Sequence, residues 1–72
     1  MDTKHIQVIE LYEVRYRDIN PDTGYTVIDK AMYIAFSESD ADNLAKLLQK
    51  EYLEIECDPN REFYAKKKEI LF

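Results

Sequence analysis

The sequence predicts an α+β fold in which an antiparallel sheet of three or four strands carries one helix on one face. Three features support this prediction: a period-two stretch from residue 6, a turn-forming loop followed by strand-forming residues, and an amphipathic helix after residue 37. The chain of 72 residues has room for a single small domain, residues 1–72. The expected element order is ββαβ or ββαββ.

The first strand is predicted over residues 6–19. β-Branched and aromatic residues alternate there with polar ones, and the apolar set is Ile6, Val8, Tyr12, Val14 and Tyr16. Ile9 and Leu11 break the alternation and would lie on the face opposite Tyr12 and Val14. Residues 20–24 contain Pro21 and Gly24, which suit a hairpin turn. Residues 25–36 then predict a second strand, interrupted at residues 29–30 by a bulge or an exposed edge.

The helix is predicted over residues 38–52. Ser37 can cap it, and Asp40 stands where a capping box needs an acid. Phe36 and Ala41 are placed for a hydrophobic staple. The apolar face of the helix has a spacing of three and four residues and consists of Ala41, Leu44, Ala45, Leu48 and Tyr52.

The last twenty residues allow two interpretations. Residues 53–57 alternate apolar and acidic side chains, as a short strand would, and residues 58–61 suit a turn. Residues 63–72 suit a strand, although the stretch from Ala65 to Glu69 also has good helix propensity. We favour the strand, because two strands and one helix need a further strand for stability.

The net charge of −5, from 15 acids and 10 bases, opposes non-specific binding to nucleic acid or anionic membranes. The charge is uneven: residues 37–60 carry seven acids and two bases, whereas residues 61–72 carry two acids and four bases. One cysteine and a polar start without a following apolar run predict a cytoplasmic protein.

No catalytic, cofactor or metal site is expected. Cys57 and His5 are too few ligands for zinc and lack a third group to orient a nucleophile–base pair. Gly24 is the sole glycine, so a phosphate-cradling loop is excluded. Asp18, Asn20 and Asp22 have the spacing of a calcium loop, but the required glycine position holds a threonine. The chain is therefore predicted not to be an enzyme.

The tyrosines and the acidic residues are the best candidates for binding a protein partner, because tyrosine is enriched in interface hot spots. The predicted partner-binding residues are Tyr25, Tyr33, Tyr64, Glu38, Asp42, Glu54 and Glu56. As an alternative, a nucleic acid would be contacted by the basic residues of the strands. These are Arg15, Arg17, Lys30, Lys66, Lys67 and Lys68.

Residues 12–48 resemble the small N-terminal arm-binding domain of tyrosine-type phage integrases. The matching residues are Tyr12, Val14, Arg15, Tyr16, Arg17, Asp18, Gly24, Phe36, Ser37, Ala41 and Ala45. The resemblance implies a sheet-plus-helix fold that reads DNA, although the second strand here has Asp29 and a single Lys30 where the family would have several bases. In size and charge the chain is also similar to compact phage and mobile-element proteins that inhibit host defence, including anti-CRISPR proteins.

These observations predict a non-catalytic protein-binding module that modulates or inhibits a macromolecular partner, such as a host defence protein. The alternative is a small nucleic-acid-binding sheet. A homodimer joined through Ile9 and Leu11 is also predicted, unless the C-terminal residues Ile70, Leu71 and Phe72 fold back over them.

Overall fold

A computed structural model describes residues 8–71, with the side chains of residues 8–70. Its elements are β1 (Val8–Ile19), β2 (Thr26–Ala35), α1 (Glu38–Glu56) and β3 (Arg61–Leu71). The three strands form an antiparallel sheet in the order β2-β1-β3, so the long first strand is central. The predicted α+β class and the ββαβ order are confirmed, and Ile6, Gln7 and Phe72 lie outside the described residues.

The hairpin between β1 and β2 is closed by the residues that predicted it. The amide of Gly24 donates to the carbonyl of Asn20, and the Asn20 side chain accepts from the amide of Asp22. Gly24 has φ +76°, a conformation that side chains with a Cβ rarely adopt. The turn therefore fixes which residues of β1 and β2 pair with each other next to the loop.

Strand β2 is irregular, but not where the sequence suggested. The pairing shifts between Val14 and Arg15 and again between Asp18 and Ile19 of β1. As a result, Met32 and Val27 are extra residues of β2 that have no partner on β1. Asp29 and Lys30 pair regularly with β1, so the predicted bulge at that dipeptide is wrong. The other half of that expectation is confirmed, because β2 is an exposed edge strand.

Helix α1 begins as predicted and ends four residues later than predicted. The Ser37 hydroxyl accepts from the Asp40 amide at 3.1 Å, which satisfies one orphan donor of the first turn. Phe36 is 77% exposed, so the expected staple with Ala41 does not form. At the other end, Cys57 adopts a left-handed conformation, and its amide donates to the Leu53 carbonyl.

The short strand predicted over residues 53–57 is wrong, because the helix continues to Glu56. Leu53 and Ile55 mimic a period of two, but Ile55 also follows Leu48 and Tyr52 at helical spacing. The fold-back of the C-terminal segment is wrong as well. Ile70 and Leu71 belong to β3 and lie beside Ile9 and Val8 in the sheet.

The core is small and lies where α1 crosses the middle of the sheet. Val14, Ala41 and Ala45 are its buried residues, and the partly buried side chains around them are Tyr12, Ala35, Leu44, Leu48, Phe63 and Ala65. The predicted apolar face of the helix is thereby confirmed. The radius of gyration is 15.9 Å, against about 11 Å for a compact chain of this length, so the molecule is elongated.

Candidate functional site

The two edges of the sheet differ in how well they are protected. On β3, the Gln49 side chain donates to the Arg61 carbonyl and accepts from the Phe63 amide, so it occupies the edge as a neighbouring strand would. Further along, β3 carries three exposed lysines at residues 66–68, which discourage pairing with another chain. The start of β3 is thus covered and its continuation is charged.

Strand β2 is less well protected within the described part of the chain, where its irregularities at Val27 and Met32 interrupt the edge but no side chain covers it. Every residue from Thr26 to Ile34 is exposed, and Lys30 is the one base among them. Val27, Ile28, Met32, Tyr33 and Ile34 give this edge large apolar side chains. An exposed apolar edge strand is a template on which an extended segment of another chain can pair.

A groove opens beside β2 because α1 packs over β1 and β3 and makes little contact with β2. We call it the α1–β2 groove, and it encloses about 260 Å³. Its lining residues come from β2, from the C-terminal half of α1 and from the start of β3, and they are Met32, Leu48, Glu51, Tyr52, Ile55, Glu56, Arg61 and Phe63. The lining combines apolar side chains with two carboxylates.

Arg61 holds one end of this groove together. Its guanidinium lies 4.3 Å from the ring centre of Tyr16 and 4.9 Å from that of Tyr52, and it donates to both oxygens of Asp18. These hydrogen bonds lower the pKa of the Asp18 carboxyl and raise that of Arg61. Partial burial raises the pKa of the Tyr52 hydroxyl. The arginine is thus fixed and neutralised within the protein.

The sheet face opposite α1, which we call the open face, carries a cluster of paired charges. Arg15 Nε donates to Asp29 at 3.0 Å and to Tyr64 at 3.3 Å, and its Nη1 donates to Glu13 at 3.1 Å. The hydrogen bond from Tyr64, and then that from Arg15, lower the pKa of the Asp29 carboxyl. Beside them Arg17 binds Glu62 at 2.7 Å.

The structure does not gather the predicted partner-binding residues into one site. Tyr25 is 76% exposed at the hairpin and Tyr33 is half exposed on β2, whereas Tyr64 belongs to the charge cluster of the open face. Glu38 and Asp42 lie in the first turns of α1, while Glu54 and Glu56 lie in its last turn. Of these seven residues, Glu56 lines the groove.

The predicted nucleic-acid contacts are also divided. Arg15 and Arg17 are on the open face in the ion pairs described above, and Lys30 lies opposite Tyr16 on the helix side. Lys66 and Lys68 pair with Glu13 and Leu11 of the open face, whereas Lys67 points to the other side and contacts Glu10 and Glu69. The sheet does not bring the six bases together into one basic surface.

The sequence predicts part of the groove: Leu48 and Tyr52 lie on the expected apolar face of the helix, and Met32 lies in a strand as expected. The expected strand at Ile55 is wrong, because Ile55 belongs to α1, and Gln49 is not among the predicted site residues. The spacing of Leu48, Tyr52 and Ile55 is helical and could have extended α1 to the groove. Nothing local in the sequence indicates that Gln49 covers the edge of β3, because its partners lie 12 and 14 residues away.

The described residues form a small antiparallel sheet with one helix, one less protected edge and an adjoining groove. In comparisons with known proteins, no family model, curated protein or solved structure matches the chain. Within residues 8–71, no helix has the length and apolar character needed to cross a membrane. The same residues contain no group of three or more histidines, cysteines or carboxylates placed to hold a metal ion.

Proposed function

We propose that this chain is a non-catalytic protein-binding module that modulates or inhibits a macromolecular partner through β2 and the α1–β2 groove. The observation that carries the proposal is the exposure of β2 from Thr26 to Ile34 on an edge that nothing in the described part of the chain covers. The resemblance in size and charge to phage-encoded inhibitors of host defence supplies a setting in which such a module would act.

The mode of binding follows from the geometry of the edge. An extended segment of the partner would hydrogen-bond to the outward-facing amides and carbonyls of β2 and add a fourth strand to the sheet. Its alternate side chains would then point toward α1, where Met32 and Ile55 offer apolar contacts. A segment held in this way is withheld from its own fold or from its other partners, which is a steric route to inhibition.

The charges beside the groove select the chemistry of that segment. Helix α1 carries six acids and two bases, and Glu51 and Glu56 stand at the groove itself. A segment that alternates apolar residues with lysine or arginine therefore fits both the apolar lining residues of the groove and its two carboxylates. Electrostatic complementarity of this kind favours the right partner and speeds association.

The nucleic-acid alternative receives less support from the same charges. Its strand arginines, Arg15 and Arg17, are occupied by Asp29, Glu13 and Glu62. A phosphate would have to replace these carboxylates on a protein whose net charge is already −5. We therefore expect weak or absent binding to random duplex DNA at physiological salt.

The proposal is tested with a library of random 12-residue peptides selected on the immobilised full-length chain. Enriched peptides should alternate apolar and basic residues, and Met32→Lys combined with Ile55→Lys should weaken their binding at least tenfold. Fluorescence anisotropy of a labelled enriched peptide measures this loss. Ile9→Lys, on the open face, is the matched control and should bind as the wild type does.

Three results would contradict the proposal: no enrichment, peptides without basic residues, or equal effects of the groove and control variants. Binding of duplex DNA that is lost on Arg15→Glu with Arg17→Glu would instead favour the nucleic-acid alternative.

A further inference from the structure

The open face of the sheet carries an apolar patch that no second layer covers within the described part of the chain. Ile9 lies opposite Ile70, and Leu11 follows two residues later on the same face. Ile34, which lies opposite Glu13, continues the patch onto β2 and is 51% exposed. We call Ile9, Leu11, Ile34 and Ile70 the open-face patch. Because a sheet buries its apolar residues against a second layer, such a patch is typical of a contact surface.

Two lysines of β3 border the patch on one side. Lys68 lies opposite Leu11 and Lys66 lies opposite Glu13, so both lysines are on the open face, and both are exposed. Within residues 8–70, neither lysine makes an ion pair. The patch therefore has an uncompensated positive edge along β3.

The arginines of the open face contribute no free positive charge. Arg15 is held by Asp29 and Glu13, and Arg17 is held by Glu62. The strand residues of this face include four bases and three acids, so its net charge is +1, whereas the net charge of the whole chain is −5. The excess positive charge comes from the two lysines beside the patch. An acidic partner complements this edge, and a basic partner is repelled by it.

The backbone of the sheet limits what kind of segment can lie on the patch. Strands hydrogen-bond sideways, within the plane of the sheet, so the face itself offers no free amides or carbonyls. A segment that lies on the face must therefore satisfy its own backbone groups. A helix does so through its internal hydrogen bonds, and α1 already covers the opposite face of this sheet in that way.

The spacing of the lysines matches that of acids on a helix aligned with the strands. Residues two apart on a strand are separated by about 6.7 Å, and residues i and i+4 of a helix are separated by a rise of about 6 Å. Two acids four residues apart can therefore reach Lys66 and Lys68 together. From Ile9 to the level of Ile34 is four residues of β1, about 13 Å, which is the rise of roughly nine helical residues. Apolar side chains at i, i+3 and i+7 follow the patch over that length.

We propose that the open face docks an amphipathic helix of a partner protein. The apolar side chains of that helix lie over the open-face patch, and two acids four residues apart pair with Lys66 and Lys68. This site is on the other side of the sheet from the α1–β2 groove and takes a segment of the opposite charge. It does not depend on the function proposed above.

A designed helical peptide serves as the probe. It has about 18 residues of alanine and glutamine, with leucines at i, i+3 and i+7 and two glutamates four residues apart beside them. The matched peptide has lysines in place of the two glutamates. Fluorescence anisotropy with the full chain should show about tenfold tighter binding of the glutamate peptide, because two attractive contacts become repulsive in the other. Circular dichroism of the free peptides confirms that they are equally helical.

A charge swap locates the binding site. Lys66→Glu combined with Lys68→Glu should weaken binding of the glutamate peptide about tenfold and should tighten binding of the lysine peptide. Lys46→Glu combined with Lys50→Glu is the matched control. It makes the same change of net charge at two exposed lysines of α1, so it should keep the preference of the wild type for the glutamate peptide.

A second pair of variants tests the apolar contact. Ile9→Gln should weaken the glutamate peptide several-fold, whereas Ile55→Gln should not, since Ile55 is 75% exposed but lies on α1 at the groove. Circular dichroism of each variant shows whether it remains folded. Met32→Lys combined with Ile55→Lys should still bind the glutamate peptide, which separates a failure at the open face from a failure at the groove.

Four results would overturn the inference. These are equal binding of the two peptides, equal effects of the two lysine pairs, equal effects of Ile9→Gln and Ile55→Gln, and loss of the glutamate peptide in the groove variant. A dimer of the chain alone that Ile9→Gln dissociates would also overturn it, because a second copy would then cover the patch.

Discussion

Truncation of Val14 should remove much of the stability of this protein. Val14 is fully buried between the sheet and Ala41 and Ala45, and it is the one large side chain of the described residues that is completely enclosed. Val14→Ala deletes two methyl groups, worth about 1.6 kcal/mol in transfer free energy at ~0.8 kcal/mol each. The cavity left behind adds to this, so we expect a loss of about 2–3 kcal/mol.

The loss expected for Val14→Ala is large compared with the total free energy of unfolding of the protein. A core of this size rarely supplies more than ~3–5 kcal/mol, so the variant would retain about half of it or less. For a domain of this length, each 1 kcal/mol shifts the Tm by ~4–8 °C, which predicts a drop of roughly 10–20 °C.

Thermal and urea unfolding followed by far-ultraviolet circular dichroism measures the change, at one fixed protein concentration because self-association would add to the apparent stability. Val27→Ala is the matched control, since Val27 is 64% exposed on β2 and its truncation should cost less than ~0.5 kcal/mol. A Val14→Ala protein within ~0.5 kcal/mol of the wild type, or an equal loss in both variants, would refute the assignment of the core.

Two further perturbations test the helix terminus and the Arg61 ion pair. Cys57 has φ 55°, in the left-handed region that strains any residue with a Cβ. Cys57→Gly should therefore stabilise the protein by about 0.5–1 kcal/mol in urea titrations, whereas Cys57→Ala keeps the strain and should not. Equal stability of the two variants would contradict this account. Hydrogen bonds from Arg61 hold the pKa of Asp18 below its unfolded value of about 3.9, so their stabilising effect is complete above that pH and is lost as the pH falls through the lower folded pKa. The Tm should therefore decrease as the pH is lowered below about 4, and it should decrease less steeply in Asp18→Asn. An equally steep decrease of the Tm in that variant would exclude Asp18 as a contributor.

Local pattern was enough to predict most of the elements. The alternation in β1, the Asn20–Gly24 turn and the Ser37 cap each depend on residues within about five positions of one another, so the chain determines them without a tertiary context. The error at the end of the helix arose where two local patterns competed. The stretch from Leu53 to Glu56 satisfies both a period of two and a continued helix, and in the helix Ile55 lines the same groove as Leu48 and Tyr52.

The sequence by itself thus determined the fold class, the helix start and the acidic character of the helix. Only the tertiary structure decided which edge of the sheet is open, because that depends on Gln49 reaching β3 and on α1 crossing away from β2. It also decided that Arg61 lies between Tyr16 and Tyr52 and that Arg15 is occupied by Asp29. These partners are separated by 9 to 45 positions along the chain, and no local pattern encodes a contact at that distance.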